Sequence, residues 1–336
     1  MRSGRTTSLS TGRARSAMTR GVTLVTGATG FAGRFLLDRL SYSSAIAAWH
    51  RPGGRPSDPQ RRVTWQPVDI TDRNSVMQAI EEIQPARIFH LAGAPNVATS
   101  WANAVSHLKI NALGTHHILE AIRRAGRPCR LVVVTSALVY HATDDPIRED
   151  AVLRPSNPYG LSKLAQDQLA LRAAHDEHLD VVVARPFNHI GPRQEPGFAV
   201  SNFARQIARI EAGLAPPKLQ VGNLEARRDI TDVRDVVEAY ERLMDRGVAG
   251  RAYNICSGRA WRMQDLLDEL LHLSSSKIRV EIDAARLRPN DVPIVQGDAT
   301  RIRSELGWMP SIPVEQTLQD TLEWWRRETA ESLASA

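Results

Sequence analysis

Three side chains in the middle of the chain can hold and move a proton: Ser136, Tyr159 and Lys163, which we call the Ser-Tyr-Lys trio. Asn157 and Pro158 suit the N-cap and first position of a helix that carries Tyr159 and Lys163. Residues four apart share a helix face, so the Lys163 ammonium would lie near the phenol and favour its ionised form. The trio suits proton transfer to or from a carbinol or carbonyl oxygen during hydride transfer. A tyrosine and a lysine sharing a helix face by chance is the alternative.

A glycine-rich turn near the start of the chain argues against chance. A β-branched run at 22–26 leads into Gly27, Gly30 and Gly33, and an apolar helical pattern begins near Phe31. Glycines at such a turn let backbone N–H groups approach a pyrophosphate at the positive end of the helix. A glycine triplet alone is a weak signal, but a strand before it and a helix after it are the context that a dinucleotide site requires.

The glycine spacing and the Ser-Tyr-Lys trio together resemble the extended short-chain dehydrogenase/reductase family. The resemblance implies that Tyr159 is the general acid, that Ser136 orients the substrate oxygen, and that Lys163 tunes the phenol and holds the nicotinamide ribose. It also implies a set of cofactor-binding residues: Gly27, Gly30, Phe31, Gly33, Arg51, Asp69, Ile70, Leu91, Ala92, Gly93, Tyr159, Lys163 and Pro186. In this set Asp69 matches the adenine contact, with capping of a helix near Asp72 as the alternative.

The end of the second predicted strand bears on the choice between NADP(H) and NAD(H). NAD enzymes place an acid there to accept hydrogen bonds from the ribose hydroxyls. This chain has Trp49-His50-Arg51 and no acid before Asp58. A guanidinium at Arg51 can pair with a 2′-phosphate, so the sequence favours NADP(H). Use of NAD(H), with Arg51 as a solvated loop residue, stays open.

Motifs in the second half resemble the GDP-sugar branch of the family, which contains GDP-mannose 4,6-dehydratases and GDP-4-keto-6-deoxy-D-mannose reductases. The similarity is carried by the segments 185–194, 197–208 and 221–235. It implies a substrate-binding set that contains one trio member and four residues of the second half: Ser136, Asn188, Arg228, Arg288 and Asp291. Two guanidinium groups can bind one diphosphate through paired, charge-assisted hydrogen bonds. Each arginine taken alone would be a surface charge.

The residues after Ser136 distinguish a dehydratase from a reductase. A 4,6-dehydratase needs an additional carboxylate, and the dehydratase pattern places a glutamate two residues after the catalytic threonine. Here Ala137 and Leu138 follow Ser136. We therefore expect NAD(P)H-dependent reduction of the C4 ketone of GDP-4-keto-6-deoxy-D-mannose to GDP-D-rhamnose. A dehydratase, a reductase that gives GDP-6-deoxy-D-talose, and a non-catalytic NADP-binding scaffold are the alternatives. His141 replaces a family glycine and is either a sugar contact or a solvated loop residue.

The elements that must position these residues follow an alternating pattern. Strand-like runs at 22–26, 45–50, 63–67, 87–91, 131–135 and 181–186 alternate with helical patterns, among them 105–125 and 159–175. This alternation predicts an α/β fold with a Rossmann-type doubly wound parallel sheet and a smaller, interleaved α/β substrate-binding lobe.

After about residue 187 the alternating strand and helix patterns give way to loops, Pro/Gly turns and short helices, and this change gives approximate domain limits. We predict an NADP-binding Rossmann domain at 21–187 with about 230–257, and a substrate lobe at 188–229 and 258–330. The resemblance also implies a homodimer formed through the helices at 105–125 and 159–175.

Composition excludes several other classes. The chain has 336 residues, 42% of them hydrophobic and 24% charged, and no 18-residue apolar stretch, so no membrane span is expected. Cys129 and Cys256 are too few for a disulfide framework or metal cage, which favours a cytoplasmic enzyme without a metal site. The net charge of +6 does not indicate nucleic-acid binding, because most of it comes from a tail at 1–20, predicted to be disordered or an over-long start. The basic residues of that tail are Arg2, Arg5, Arg13, Arg15 and Arg20.

Overall fold

Buried β-branched runs in the first half of the chain form strands that alternate with helices. The computed structural model describes residues 21–40, 45–54, 56, 63–287 and 292–334. The predicted tail at 1–20 and two predicted substrate residues, Arg288 and Asp291, therefore lie outside the described residues.

The first half supplies six strands and six helices. They are β1 (Thr23–Thr26), α1 (Phe31–Leu40), β2 (Ile46–His50), β3 (Val63–Pro67), α2 (Arg73–Ile83), β4 (Arg87–His90), α3 (Val97–Ser100), α4 (Ala104–Leu108), α5 (Gly114–Ala125), β5 (Arg130–Val134), α6 (Pro158–Asp176) and β6 (Asp180–Pro186). A π-helical segment, Lys109–Leu113, joins α4 to α5, and a 3₁₀ turn, Ala137–Val139, follows β5.

The second half supplies shorter strands and longer connections. Its elements are β7 (Asn188–Ile190), α7 (Ala199–Glu211), β8 (Lys218–Val221), β9 (Arg227–Asp232), α8 (Val233–Arg246), β10 (Ala252–Ile255), β11 (Ala260–Arg262), α9 (Met263–His272), β12 (Arg279–Ile282), β13 (Ile294–Val295), α10 (Thr300–Leu306) and α11 (Val314–Ala334).

The central sheet has seven parallel strands in the order β10-β6-β5-β4-β1-β2-β3. Helices cover both faces, so the middle strands are buried on both sides and read as continuous apolar runs. One face packs Leu36 of α1 and Val236 of α8 into a core cluster, and the other packs Val76 of α2 and Ile118 of α5. The strand order reverses between β1 and β4, which is where ligands bind in doubly wound sheets. The predicted Rossmann-type α/β fold is confirmed.

The second half builds a smaller sheet around β9, which pairs with β11 antiparallel and with β7 and β13 parallel. A separate pair, β8 and β12, lies in the same part. Helices α7, α9 and α11 bury an apolar core that contains Phe203, Leu266 and Leu318. Because α8 and β10 pack with the central sheet, the two parts of the molecule alternate along the chain.

The helical stretch predicted at 105–125 is helical throughout in the structure, but its middle is π-helical rather than α-helical. A π-helical segment, Lys109–Leu113, interrupts it and turns the side chain of Asn111 inward, where it is fully buried. Such bulges insert a residue into the helical ladder and occur frequently at functional sites. The helical periodicity of the sequence did not reveal it, because an inserted residue shifts the pattern by only part of a turn.

Candidate active site

The carboxyl end of β5 and the first turn of α6 bring Ser136 and Tyr159 together. Asn157 caps α6, with its side chain accepting a hydrogen bond from the backbone N–H of Gly160 at 2.8 Å. A Cβ atom on Gly160 would lie 2.4 Å from the carbonyl oxygen of Leu138, so glycine lets the helix approach the turn after Ser136. The Ser136 side chain lies close enough to the Tyr159 phenol to lower its pKa, and each residue is 8% exposed.

Burial dominates the protonation of the Ser-Tyr-Lys trio. It raises the pKa of Tyr159 to about 12, although the hydrogen bond with Ser136 acts in the opposite direction. It lowers the pKa of Lys163 to about 7, because an ammonium out of water loses its solvation. The sequence led us to expect that Lys163 favours the phenolate, but in the structure the larger effect on Tyr159 is desolvation. A phenol with a raised pKa stays protonated at neutral pH, the state that a general acid requires.

Lys163 is held by two acceptors among the described residues. Its ammonium donates to the carbonyl oxygen of Val134 at 3.0 Å and to the Gln166 side-chain oxygen at 2.8 Å. A Cβ atom on Gly93 would lie 3.3 Å from the Lys163 nitrogen, so the lysine reaches the carboxyl end of β4. The sequence gave no signal for Gln166, which reads as one more polar residue of α6.

Asn111 is a second residue that sequence reasoning missed. Its side-chain oxygen accepts a hydrogen bond from the Ala94 backbone N–H at 2.8 Å, and its amide donates to the Ser162 hydroxyl at 2.8 Å. The Ser162 hydroxyl in turn donates to the carbonyl of Tyr159 at 2.7 Å. Asn111 thus ties the loop after β4 to the first turn of α6.

The glycine-rich turn has the shape that a dinucleotide phosphate needs. Gly27 has a φ of +67°, and a Cβ atom there would lie 2.6 Å from the Ala92 backbone nitrogen. A Cβ atom on Gly33 would lie 2.3 Å from the carbonyl oxygen of Gly27. The turn therefore packs backbone against backbone. Since its glycines carry no side chains, a phosphate can approach the N-terminus of α1 near Gly30 and Phe31. These residues fit a bound nicotinamide dinucleotide.

The remaining predicted cofactor residues lie at the carboxyl ends of the central strands. Leu91, Ala92 and Gly93 follow β4, and Pro186 is the last residue of β6. The backbone N–H of Leu91 donates to the carbonyl of Thr26 at 3.2 Å, which fixes the β4 end against β1. The structure therefore places these positions at the edge of the sheet that carries the glycine-rich turn.

The predicted adenosine side of the site is more open. Arg51 is exposed and directly follows β2. The Asp69 carboxylate accepts hydrogen bonds from the backbone N–H and hydroxyl of Thr71, at 2.9 and 2.8 Å. The cap of α2 is Asp72, so Asp69 is not the helix-capping residue. Ile70 is buried, and its carbonyl oxygen lies 3.0 Å from the His117 ring nitrogen.

Two predicted substrate residues lie on the small sheet. Asn188 begins β7 and is exposed, in register with Ile230 of β9. Arg228 lies on β9, and its guanidinium donates to the carbonyl oxygen of Val292 at 2.8 Å. A Cβ atom on Gly197 would lie 3.8 Å from the Asn96 amide, so the loop before α7 approaches the loop after β4.

A buried ion pair supports the site from behind. Arg185 of β6 donates to both carboxylate oxygens of Asp167 on α6, each at 2.8 Å. Thr135, next to Ser136, donates to the same carboxylate at 3.2 Å. The phenol of Tyr140 accepts from Arg185 at 2.8 Å. By contrast, His141 is exposed and pairs with Arg154, as the solvated-loop interpretation requires.

No carboxylate among the described residues influences the protonation of Tyr159, whose pKa responds only to burial and Ser136. Leu138, at the position of the dehydratase glutamate, uses its backbone N–H to donate to the Ser136 hydroxyl at 3.1 Å. Within the described ranges, no group of His, Cys, Asp or Glu side chains could hold a metal ion, and no helix is both long and apolar enough to cross a membrane.

Comparison with known proteins places this geometry in context. The sequence profile of the GDP-mannose 4,6 dehydratase family matches residues 24–321. A GDP-6-deoxy-D-mannose reductase from Pseudomonas aeruginosa is 35% identical over 310 residues, covering 91% of this chain and 98% of the relative. The structure of RMD from Pseudomonas aeruginosa complexed with NADPH superposes with a TM-score of 0.80 at 33% identity, covering 92% of this chain and 99% of that one. MoeE5 in complex with UDP-glucuronic acid and NAD gives a TM-score of 0.81 at 30% identity, covering 92% of this chain and all of MoeE5, at 100%.

Proposed function

Because the chain belongs to the GDP-mannose 4,6 dehydratase family of extended short-chain dehydrogenases/reductases, we propose that it is an NADPH-dependent reductase of GDP-4-keto-6-deoxy-D-mannose. One observation carries the choice of reductase over dehydratase. Ser136 lies close enough to Tyr159 to lower its pKa, while Leu138, which has no acidic group, occupies the place of the dehydratase glutamate. The similarity to a GDP-6-deoxy-D-mannose reductase over nearly the whole chain supports the same choice.

The proposed mechanism assigns proton transfer to the Ser-Tyr-Lys trio. When bound, NADPH supplies the hydride that C4 of the ketosugar receives. Tyr159 donates its phenolic proton to the C4 oxygen, and its raised pKa keeps that proton in place until the oxygen gains negative charge. Ser136 donates a hydrogen bond to the same oxygen and orients it. Lys163, when protonated, stabilises the phenolate that remains after transfer.

We also propose which ligand each of the two parts of the molecule binds. The cofactor binds the part formed by 21–187 with about 230–257, at Gly27, Gly30, Phe31 and Gly33. The GDP-sugar binds the part formed by 188–229 and 258–330. There Asn188, Arg228, Arg288 and Asp291 are the proposed contacts, and the product is GDP-D-rhamnose.

NADP(H) is the proposed cofactor because Arg51 is exposed at the end of β2, where a 2′-phosphate would lie. The related RMD structure holds NADPH, whereas MoeE5 holds NAD. KM should therefore be measured for both NADPH and NADH. We expect Arg51→Ala to raise KM for NADPH and to leave KM for NADH nearly unchanged. Equal loss with both cofactors would contradict this role.

The decisive experiment supplies purified protein with GDP-4-keto-6-deoxy-D-mannose and NADPH, and identifies the product by NMR. Consumption of NADPH with formation of GDP-D-rhamnose supports the proposal, whereas GDP-6-deoxy-D-talose would correct the stereochemistry. In a parallel incubation, GDP-mannose and NADP should give no 4-keto product. Its formation would identify a dehydratase instead.

We also propose that two copies of the chain pair through α4, α5 and α6. Exposed apolar side chains are concentrated there, with Val105 66%, Leu113 42% and Leu161 52% exposed. An open groove of about 380 Å³ lies between these helices, lined by Leu108, Lys109, Ala112, Leu113, His116 and Leu169. A second copy would cover this apolar surface, which is large for a free monomer.

Light scattering after gel filtration should show a dimer that Leu113→Glu converts to a monomer. Leu273→Glu, at a leucine that directly follows α9 and is 39% exposed, is the matched control and should remain dimeric. Equal behaviour of the two variants would contradict this interface. A cytoplasmic location is proposed from the free thiols of Cys129 and Cys256, and recovery of the native protein outside the cytoplasmic fraction would contradict it.

A further inference from the structure

A chain of buried polar groups runs from the glycine-rich turn to the ammonium of Lys163. It begins at the backbone N–H of Ala92, which donates to the hydroxyl of Thr26 at 3.2 Å. That hydroxyl lies 2.8 Å from Nδ1 of His90, and Nε2 of His90 lies 2.8 Å from the hydroxyl of Thr115. The side-chain amide of Gln166 donates to Thr115 at 2.9 Å and its oxygen accepts from Lys163. The side chains of this hydrogen-bonded series belong to buried residues on β1, β4, α5 and α6.

The directions of the hydrogen bonds among these buried groups follow from Thr115, which lies between His90 and Gln166. The Thr115 hydroxyl donates to the carbonyl of Asn111 at 2.7 Å, so it can only accept from its other neighbours. His90 must therefore donate from Nε2, and Gln166 must present its amide to Thr115 and its oxygen to Lys163. A neutral His90 then accepts at Nδ1 from Thr26. Burial and the nearby Lys163 charge lower the pKa of His90 to about 3, which keeps the ring neutral.

We propose that Gln166 is a positioning residue for Lys163, with its carboxamide held in a single orientation by Thr115 and His90. In that orientation the Gln166 oxygen and the Val134 carbonyl hold the ammonium beside Gly93, at the carboxyl end of β4. A reversed carboxamide would present N–H groups to the ammonium, which has no acceptor capacity, so the bond would be lost. This inference rests on the proposed function, because Lys163 acts there on the phenol and the cofactor.

The surroundings of Lys163 make this one neutral acceptor important. The titratable groups near it are His90 from β4, His107 from α4 and Tyr159 on its own helix. Burial and then the Lys163 charge lower the pKa of both histidines, and burial raises the pKa of Tyr159. Asp167, one turn further along α6, is bound by Arg185. Burial lowers the pKa of Lys163. The hydrogen bonds from its ammonium to the neutral oxygens of Gln166 and Val134 act in the opposite direction, because they favour the charged form.

The test measures the pH at which NADPH affinity and turnover fall on the alkaline side, using the full-length protein and NADPH fluorescence. Gln166→Glu places a carboxylate against the ammonium and should raise that pH by about one to three units. Gln166→Leu removes the acceptor and should lower it by about one unit. Gln168→Glu and Gln168→Leu, on the exposed face of the same helix, are the matched controls and should not shift it.

A second pair of variants tests the orientation without touching Gln166. Thr115→Val removes the group that receives the Gln166 amide and should lower the same pH, while Thr115→Ser keeps the hydroxyl and should restore it. Opposite shifts for the two Gln166 variants and rescue by serine support the proposal. Equal shifts for Glu and Leu, or no shift beyond the Gln168 controls, overturn it. If the wild type binds NADPH but does not reduce the ketosugar, the proposed function fails while the binding titrations still decide the role of Gln166.

Discussion

The Ser-Tyr-Lys trio and the proposed substrate-binding residues are held in different ways. Ser136, Tyr159 and Lys163 are all at least nine-tenths buried. Ser136 accepts a hydrogen bond from the Leu138 backbone, and Lys163 donates to the Val134 carbonyl. Asn188 is exposed, and Arg228 donates to the backbone carbonyls of Val292 and Pro293. Proton transfer gains from a dry, preorganised site, because fixed groups need no rearrangement as charge develops. A diphosphate can be bound by long, adaptable side chains.

The largest effect should come from removing the proposed acid. Tyr159→Phe should reduce kcat by about a thousandfold, because it removes the phenolic proton that the mechanism transfers to the C4 oxygen. The ring contact with His107 would be kept, so NADPH binding should change little. Stopped-flow and steady-state measurements of NADPH oxidation, with NADPH titration as the control, test this. Turnover within tenfold of wild type would remove Tyr159 from the mechanism.

Breaking the ion pair behind the trio should cost stability rather than substrate affinity. Asp167→Asn leaves the Arg185 guanidinium buried with a weaker partner, and the free energy of unfolding should fall by about 3 kcal/mol. Urea denaturation measures this change. Asp150→Asn, in an ion pair with Arg148 whose side chains are 65% and 70% exposed, should change it by less than about 1 kcal/mol. Equal losses in the two variants would show that the buried pair has no special weight.

The buried ammonium should give the protein a characteristic pH dependence. The pKa of Lys163 is about 7 in the folded protein and ordinarily 10.5, so between these values the unfolded chain binds a proton that the folded protein does not. The contribution of Lys163 to stability should therefore rise with pH through this window, by at most about 1.4 kcal/mol per pH unit. The buried thiols of Cys129 and Cys256, whose pKa values are raised, act in the opposite direction and are the same in all variants compared. Lys163→Met should lose this rise, whereas Lys277→Met, at an exposed lysine, should keep it. Urea denaturation of the wild type and both variants, repeated from pH 7 to 10, measures how the free energy of unfolding changes with pH. The same change with pH in all three proteins would contradict the prediction.

The smallest effect is expected at the proposed substrate-binding residues. Arg228→Lys keeps the positive charge but loses the paired geometry of the guanidinium, and KM for the ketosugar should rise about fivefold with kcat nearly unchanged. Arg227→Lys, at the exposed neighbouring position, should leave both parameters as they are. A large loss of kcat in Arg228→Lys would show instead that this residue acts in the chemical step, like the Ser-Tyr-Lys trio.

The sequence was sufficient for the trio, the glycine turn and the fold class because these depend on local chemistry. Asn157 and Pro158 mark the start of α6, and the alternating apolar runs mark the strands, each within a few neighbouring residues. The sequence did not reveal the π-helical segment that buries Asn111, nor the hydrogen bonds of Gln166. Neither residue carries a local pattern, since its partners come from elements distant in the chain.

The types and spacing of residues alone determined that this chain folds as a Rossmann-type α/β protein with a tyrosine and a lysine on one helix face. Tertiary structure decided how those groups behave. Packing α6 against the 3₁₀ turn after Ser136 removed water from Tyr159 and Lys163, and desolvation outweighed the mutual effect that their spacing suggested. Burial is a property of the assembled core, so it cannot be read from positions along one helix.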